Sequence, residues 1–200
     1  MKVEELQRLP PAVWLSILAA AAFGFLLFWA WRWYRLYRAR KALHAAVTAG
    51  CADQVKDSLV PDGRGGSFHV DFLLLTLNGV VVIDLRDVKG NIFGGDQMAE
   101  WTVMDGARRF TFPNPQSALY DRIAAVKAVA GDVPVEGRIV FTRRGQFPKG
   151  LPKWTLMLDA LRAEYPAADF ESPADTMARF RDGWQSLRGA VRPSNMAGMR

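Results

Sequence analysis

The stretch 69–90, HVDFLLLTLNGVVVIDLRDVKG, sets two apolar runs around Asn78-Gly79 and places an acid in each, Asp71 and Asp84. Asn-Gly between apolar runs is the strongest short hairpin signal, because both turn residues must accept positive φ. Residues 68–77 and 80–88 are therefore expected as paired strands. With a two-residue loop, Leu77 pairs with Val80, Asp71 lies opposite Arg86, and Asp84 lies opposite Leu73. Strand side chains alternate with period 2. Asp71, Leu73 and Leu75 then share a face with Val82, Asp84 and Arg86, while Phe72, Leu74, Val81, Ile83 and Leu85 take the other, purely apolar face. The two acids form a diagonal pair, about 7–8 Å apart at the backbone.

Carboxylates at that spacing repel unless positive charge lies between them. A hard divalent cation such as Mg²⁺ is one candidate, since it takes oxygen ligands and keeps several waters. Arg86, as a cross-strand ion pair with Asp71, is the other, and register alone leaves both open. His69 shares the parity of Asp71.

The 200 residues allow one domain plus an appendage, and half of them are hydrophobic, which suffices for a packed core. The single cysteine, Cys51, excludes an intrachain disulfide and any multi-cysteine metal site, and it reads as a small apolar filler. Two histidines, His44 and His69, are too few for a site built mainly on imidazole. The net charge of +6 is local: Arg32, Arg35, Arg38, Arg40 and Lys41 supply five of the six charges, and the chain from Ala42 onward is nearly neutral. The basic balance thus reports a short patch, not a basic globular face.

That patch follows PAVWLSILAAAAFGFLLFWAW, residues 11–31, which carries no charge. At about 1.5 Å per residue, a helix of this length crosses a hydrocarbon core of about 30 Å. Trp14 stands near one end and Trp29, Trp31, Trp33 and Tyr34 crowd the other, where amphipathic rings favour the interface. A retained anchor is expected rather than a cleaved signal. Lys2 and Arg8 are balanced by Glu4 and Glu5, so the positive-inside rule puts the C-terminal side in the cytoplasm, with residues 32–41 against anionic lipid.

The remaining pattern predicts a helix over 41–59, a loop at 61–66, a turn at 91–96 and a second hairpin of 100–104 with 108–112. It continues with a helix over 115–130, a buried strand over 135–142, helices over 153–164 and 175–187, and a loose tail from 190. This order implies an α/β fold, a sheet with helices on its faces. The expected organisation is a flank (1–10), a membrane helix (11–31), a basic segment (32–41), a domain (42–189) and a tail (190–200).

HVDFLLLTLNGVVVIDLRDVKGNIFGG, followed by Trp101 and then FPNP before a helix, resembles the nuclease-related domain (NERD), a branch of the PD-(D/E)xK nuclease superfamily. The likeness is collinear over 45–142. It implies a restriction-endonuclease-like mixed sheet with flanking helices, here preceded by one membrane helix, in a bacterial inner membrane. It also implies Mg²⁺ held by Asp71 and Asp84. Arg86 falls where the family's catalytic lysine belongs, and Ala52, beside Asp53, falls where a helix glutamate is usual. Asn114 and Pro115 match Asn-Pro, but Ala118 replaces the usual glutamine. Lysine can shift its pKa and handle a proton; arginine keeps its proton and offers only charge. Arg86 can stabilise an oxyanion or fill the metal's place.

Three functions follow. The first is a membrane-anchored, metal-dependent hydrolase of DNA or RNA using Asp71, Asp84 and Arg86. The second is a catalytically degenerate module that binds nucleic acid or a protein partner. The third is a structural membrane protein. Lys89 and the doublets Arg108-Arg109 and Arg143-Arg144 are the candidate phosphate contacts, while Trp101 and Phe112 are expected in the core.

Overall fold

A computed structural model describes residues 10–166 and 173–194. The chain divides into two compact units, split between Ala45 and Ala46. In the first, helix α1 (Pro11–Thr48) carries the apolar stretch and is long and apolar enough to cross a membrane. Its basic end shows spacing-of-four pairs: the Arg35 guanidinium lies 4.8 Å from the Trp31 ring centre and that of Arg38 5.8 Å from Tyr34. The charged flank used to orient the anchor lies outside the described residues.

The second unit holds β1 (Asp53–Pro61), β2 (Ser67–Thr76), β3 (Gly79–Arg86), β4 (Gly90–Phe93), β5 (Glu100–Asp105), β6 (Arg108–Pro113) and α2 (Pro115–Ala130). After these come β7 (Val135–Phe141), β8 (Gly145–Gln146), β9 (Thr155–Met157), α3 (Leu158–Glu164), α4 (Pro173–Ala190) and β10 (Arg192–Pro193). A six-stranded sheet runs β10-β1-β2-β3-β7-β9 and a four-stranded sheet β6-β5-β4-β8. β3, β7 and β9 are parallel and the β1-β2-β3 meander antiparallel. The result is the mixed α/β architecture that the element order implies.

Leu73, Leu75, Val80 and Val82 join Leu119 and Val126 of α2 and Trp184 and Leu187 of α4 in one core. Full burial of such side chains contributes about 1.5–3 kcal/mol each. Trp101 is wholly buried, stacked on Phe141 and edge-on to Phe112 and Phe147, which anchors the second sheet.

The hairpin register differs from expectation. Thr76 pairs with Gly79, Leu75 with Val80, Leu73 with Val82 and Phe72 with Ile83, so the loop is Leu77-Asn78 and Gly79 already belongs to β3. Asp71 is therefore not opposite Arg86, nor Asp84 opposite Leu73; one further step of the same register sets Asp71 beside Asp84. The reason lies at Gly79, whose φ is +128° and whose added Cβ would sit 2.3 Å from the Pro134 carbonyl oxygen. The glycine is spent on close approach to the chain entering β7, where Val80 N donates to Pro134 O at 2.9 Å. Thr76 Oγ1 donates to Gly79 O at 2.9 Å and closes the turn. Because the shift is two residues, both strands keep their faces.

Other elements depart as well. The expected helix 41–59 is the end of α1 and then β1, because Gly50 interrupts the helix and β2 offers a full ladder of hydrogen bonds. Residues 91–96 begin within strand β4 rather than in a turn, and the front of the expected helix 153–164 is β9. The start of the tail pairs as β10 with β1, while residues 195–200 lie outside the described part. The second hairpin, the helix over Pro115–Ala130 and strand β7 occur as expected.

Gly79→Ala combines a left-handed backbone with a carbonyl collision. It is expected to cost about 2–3 kcal/mol, read as a lowered midpoint of unfolding for the full chain in detergent.

Candidate functional site

Asp84 and Arg86 close β3, and Asp71 lies on β2 beside Asp84. Asp84 is 2% exposed. A buried carboxylate must be paired or lose its charge, and this one is paired twice. Its Oδ2 accepts from Arg86 Nη2 at 2.8 Å and from Arg122 Nη1 at 3.2 Å. Arg122 rises from α2, and its Nε also donates to the His69 carbonyl at 2.6 Å. One guanidinium thus ties α2 to β2 and β3. Arg122 was absent from the sequence-based candidates. Its signal was a cation at i+3 from Leu119 and i−4 from Val126, inside the core-facing stripe of α2.

Asp71 is held differently. Its Oδ2 accepts from Leu85 N at 2.8 Å, and its Oδ1 lies 3.7 Å from His69 Nδ1. Asp57 of β1, also missed, completes the surroundings. Its φ is +44°, left-handed for a non-glycine residue. One ligand atom from each of Asp57, His69 and Asp71 lies within 4.8 Å of the others, a group compatible with a divalent metal. The Asp71–Asp84 pair fits an ion less well, because both guanidinium groups already meet on Asp84 Oδ2.

The phosphate-contact candidates separate into two sets. Lys89 pairs with Asp105 at 3.0 Å, Arg143 with Asp159 at 2.8 Å and Arg144 with Asp87 at 2.7 Å. Arg108 and Arg109 are exposed on β6, with no ion pair among the described residues. Asp53 is structural: its Oδ2 accepts from Trp184 Nε1 at 2.8 Å and Arg188 Nη1 at 2.6 Å, fastening β1 to α4. Asn114 caps α2 by accepting from Gln116 N at 3.0 Å. Gln116 is buried, and its Nε2 donates to Asp96 Oδ1 and to Lys153 O, both at 2.8 Å. The bond from Gln116 holds the Asp96 carboxyl below its usual range. Burial pushes the Cys51 thiol up to about 11, so it stays protonated and unreactive at neutral pH.

A mixed sheet flanked by helices, with Asp71 and Asp84 side by side at the end of a central hairpin, makes this a mixed α/β domain. A family model described as nuclease-related domain, NERD, matches residues 39–142, and the chain belongs to that family. Comparison with curated proteins and with solved structures gives no match.

Removing one member of a buried charge cluster leaves the others uncompensated. Asp84→Ala strands two guanidinium groups, and it is expected to cost about 3–5 kcal/mol in chemical denaturation. Arg86→Ala leaves Asp84 with Arg122, and its cost should be clearly smaller.

Proposed function

We propose that this NERD-family chain is a membrane-anchored module that binds DNA or RNA through backbone phosphates, and that arginine has closed its reaction centre. The observation that carries this reading is the double arginine contact on buried Asp84. Arginine at 86 brings charge but no titratable proton at neutral pH, so it cannot act as the base or acid that a lysine can become. Ala52 supplies no carboxylate, and the neighbouring Asp53 is committed to α4. The unpaired Arg108 and Arg109 are the favoured phosphate contacts. Helix α1 anchors the chain, with Arg32, Arg35, Arg38, Arg40 and Lys41 at anionic headgroups on the cytoplasmic side of a bacterial inner membrane.

A second reading keeps the family's reaction: Mg²⁺ on Asp71 and Asp84 supports phosphodiester hydrolysis, and Arg86 steadies the charge that develops on the phosphorus oxygens. In its favour, the Arg86 side chain is 30% exposed and can turn outward, and metal-compatible donors surround Asp71.

Fluorescence anisotropy with labelled DNA and RNA, as a function of salt, separates the readings when run beside a cleavage assay. Binding that weakens with salt and no cleavage in Mg²⁺ are expected. The double substitution of Arg108 and Arg109 by Ala should lower the salt slope by about 2, given roughly 0.9 per phosphate contact on duplex DNA. Cleavage in Mg²⁺ that Asp84→Ala abolishes would replace the first reading with the second. Absence of any nucleic-acid binding would direct the search to a protein partner.

A further inference from the structure

Asp57 is the conformational outlier of β1. A non-glycine residue at φ +44° is uncommon, and one held there within a strand calls for a compensating interaction. Its carboxylate is half-buried, with no hydrogen bond or ion pair among the described residues. The antiparallel register, with Lys56 opposite Phe72 and Ser58 opposite Val70, sets Asp57 across from Asp71. His69 lies two residues before Asp71 on the same strand. The side chains of His69 and Asp71 are only 11% and 13% exposed.

We propose that Asp57, His69 and Asp71 bind a divalent transition-metal ion, one strand outward from Asp84, and that the imidazole makes the site favour Mn²⁺ or Zn²⁺ over Mg²⁺ or Ca²⁺. Two carboxylates and one imidazole suit borderline ions and leave positions open to water. With bonds of about 2.0–2.2 Å, two donors on one ion lie at most about 4.4 Å apart. The observed spacing, within 4.8 Å, needs only small side-chain rotations to close. The 3.7 Å between His69 Nδ1 and Asp71 Oδ1 is too long for a hydrogen bond and right for two ligands of one ion. Asp71 is oriented for this by Leu85 N, which holds Oδ2 while Oδ1 faces His69. Arg122 is turned to Asp84 and to the His69 carbonyl. The site therefore does not compete with the guanidinium groups for Asp84, and it depends neither on nucleic-acid binding nor on hydrolysis.

The test is calorimetry of Mn²⁺, Zn²⁺ and Mg²⁺ with the full chain in detergent, together with electron spin-echo spectroscopy of bound Mn²⁺. One Mn²⁺ per chain is expected, with a histidine nitrogen coupling, and with Mg²⁺ binding at least tenfold weaker. Loss of a supporting partner alone costs a metal site about 10–100-fold. His69→Gln and Asp57→Asn should each weaken Mn²⁺ at least tenfold, and asparagine tolerates the left-handed backbone at 57. Asp84→Asn should leave the affinity within about threefold. The nitrogen coupling is read on the unsubstituted chain, so the test survives a variant that does not fold. Three results overturn the proposal: no binding at millimolar Mn²⁺, bound Mn²⁺ without nitrogen coupling, or coupling that persists in His69→Gln. Affinity lost in Asp84→Asn and kept in His69→Gln would instead place the ion on the hairpin pair.

Discussion

The carboxylate of Asp84, buried between the guanidinium groups of Arg86 and Arg122, is the interaction on which the site depends. An isolated charge at that depth carries a penalty of several kcal/mol, which only close partners and hydrogen bonds offset. Meeting that condition draws in three elements. β3 supplies the acid and Arg86, α2 supplies Arg122, and β2 supplies the His69 carbonyl that fixes the same guanidinium. A lysine in place of Arg122 would present a single point charge and could not fork between the His69 carbonyl and Asp84 with the same geometry.

The same geometry governs the chemistry. In a nuclease of this superfamily, the metal and a lysine share the neighbourhood of the two acids. Here two permanent cations sit on one of them. A guanidinium can neutralise a carboxylate and clamp a phosphate, but it cannot release a proton to assist a leaving group or take one from water. The fold is that of the nuclease-related family, and the acid at its middle is already paired with two arginines.

The sequence pattern made much of this legible. Period-2 alternation put Asp71, Asp84 and Arg86 on one face, and this assignment survived a register error because the slip was even. The register itself depended on Gly79, whose role is set by Pro134, more than fifty residues away, and no local rule reports such a contact. Leu43, Val47, Val55 and Leu59 mimic a helical stripe that runs into β1, and the ladder with β2 overrides it. Asp57 comes across from Asp71 only when this segment is a strand. Arg122 was readable as a cation within an apolar stripe, but its partner on another element was not.

Charge decides how these parts act together. Counting the cluster's carboxylates and guanidinium groups alone, Asp57, Asp71 and Asp84 bring three formal negative charges against two positive from Arg86 and Arg122. Arg108 and Arg109 of β6 are exposed, with Asp105 across the strand from Arg108. A divalent ion on Asp57, His69 and Asp71 would add two positive charges and turn the cluster from net negative to net positive. The phosphate backbone would then be attracted toward the hairpin end as well. An ion seated beside Asp71 would in this way control where nucleic acid lies on the domain without taking part in any cleavage. It would leave the Asp84 cluster intact, because Asp84 Oδ2, where Arg86 and Arg122 meet, is not among its ligands.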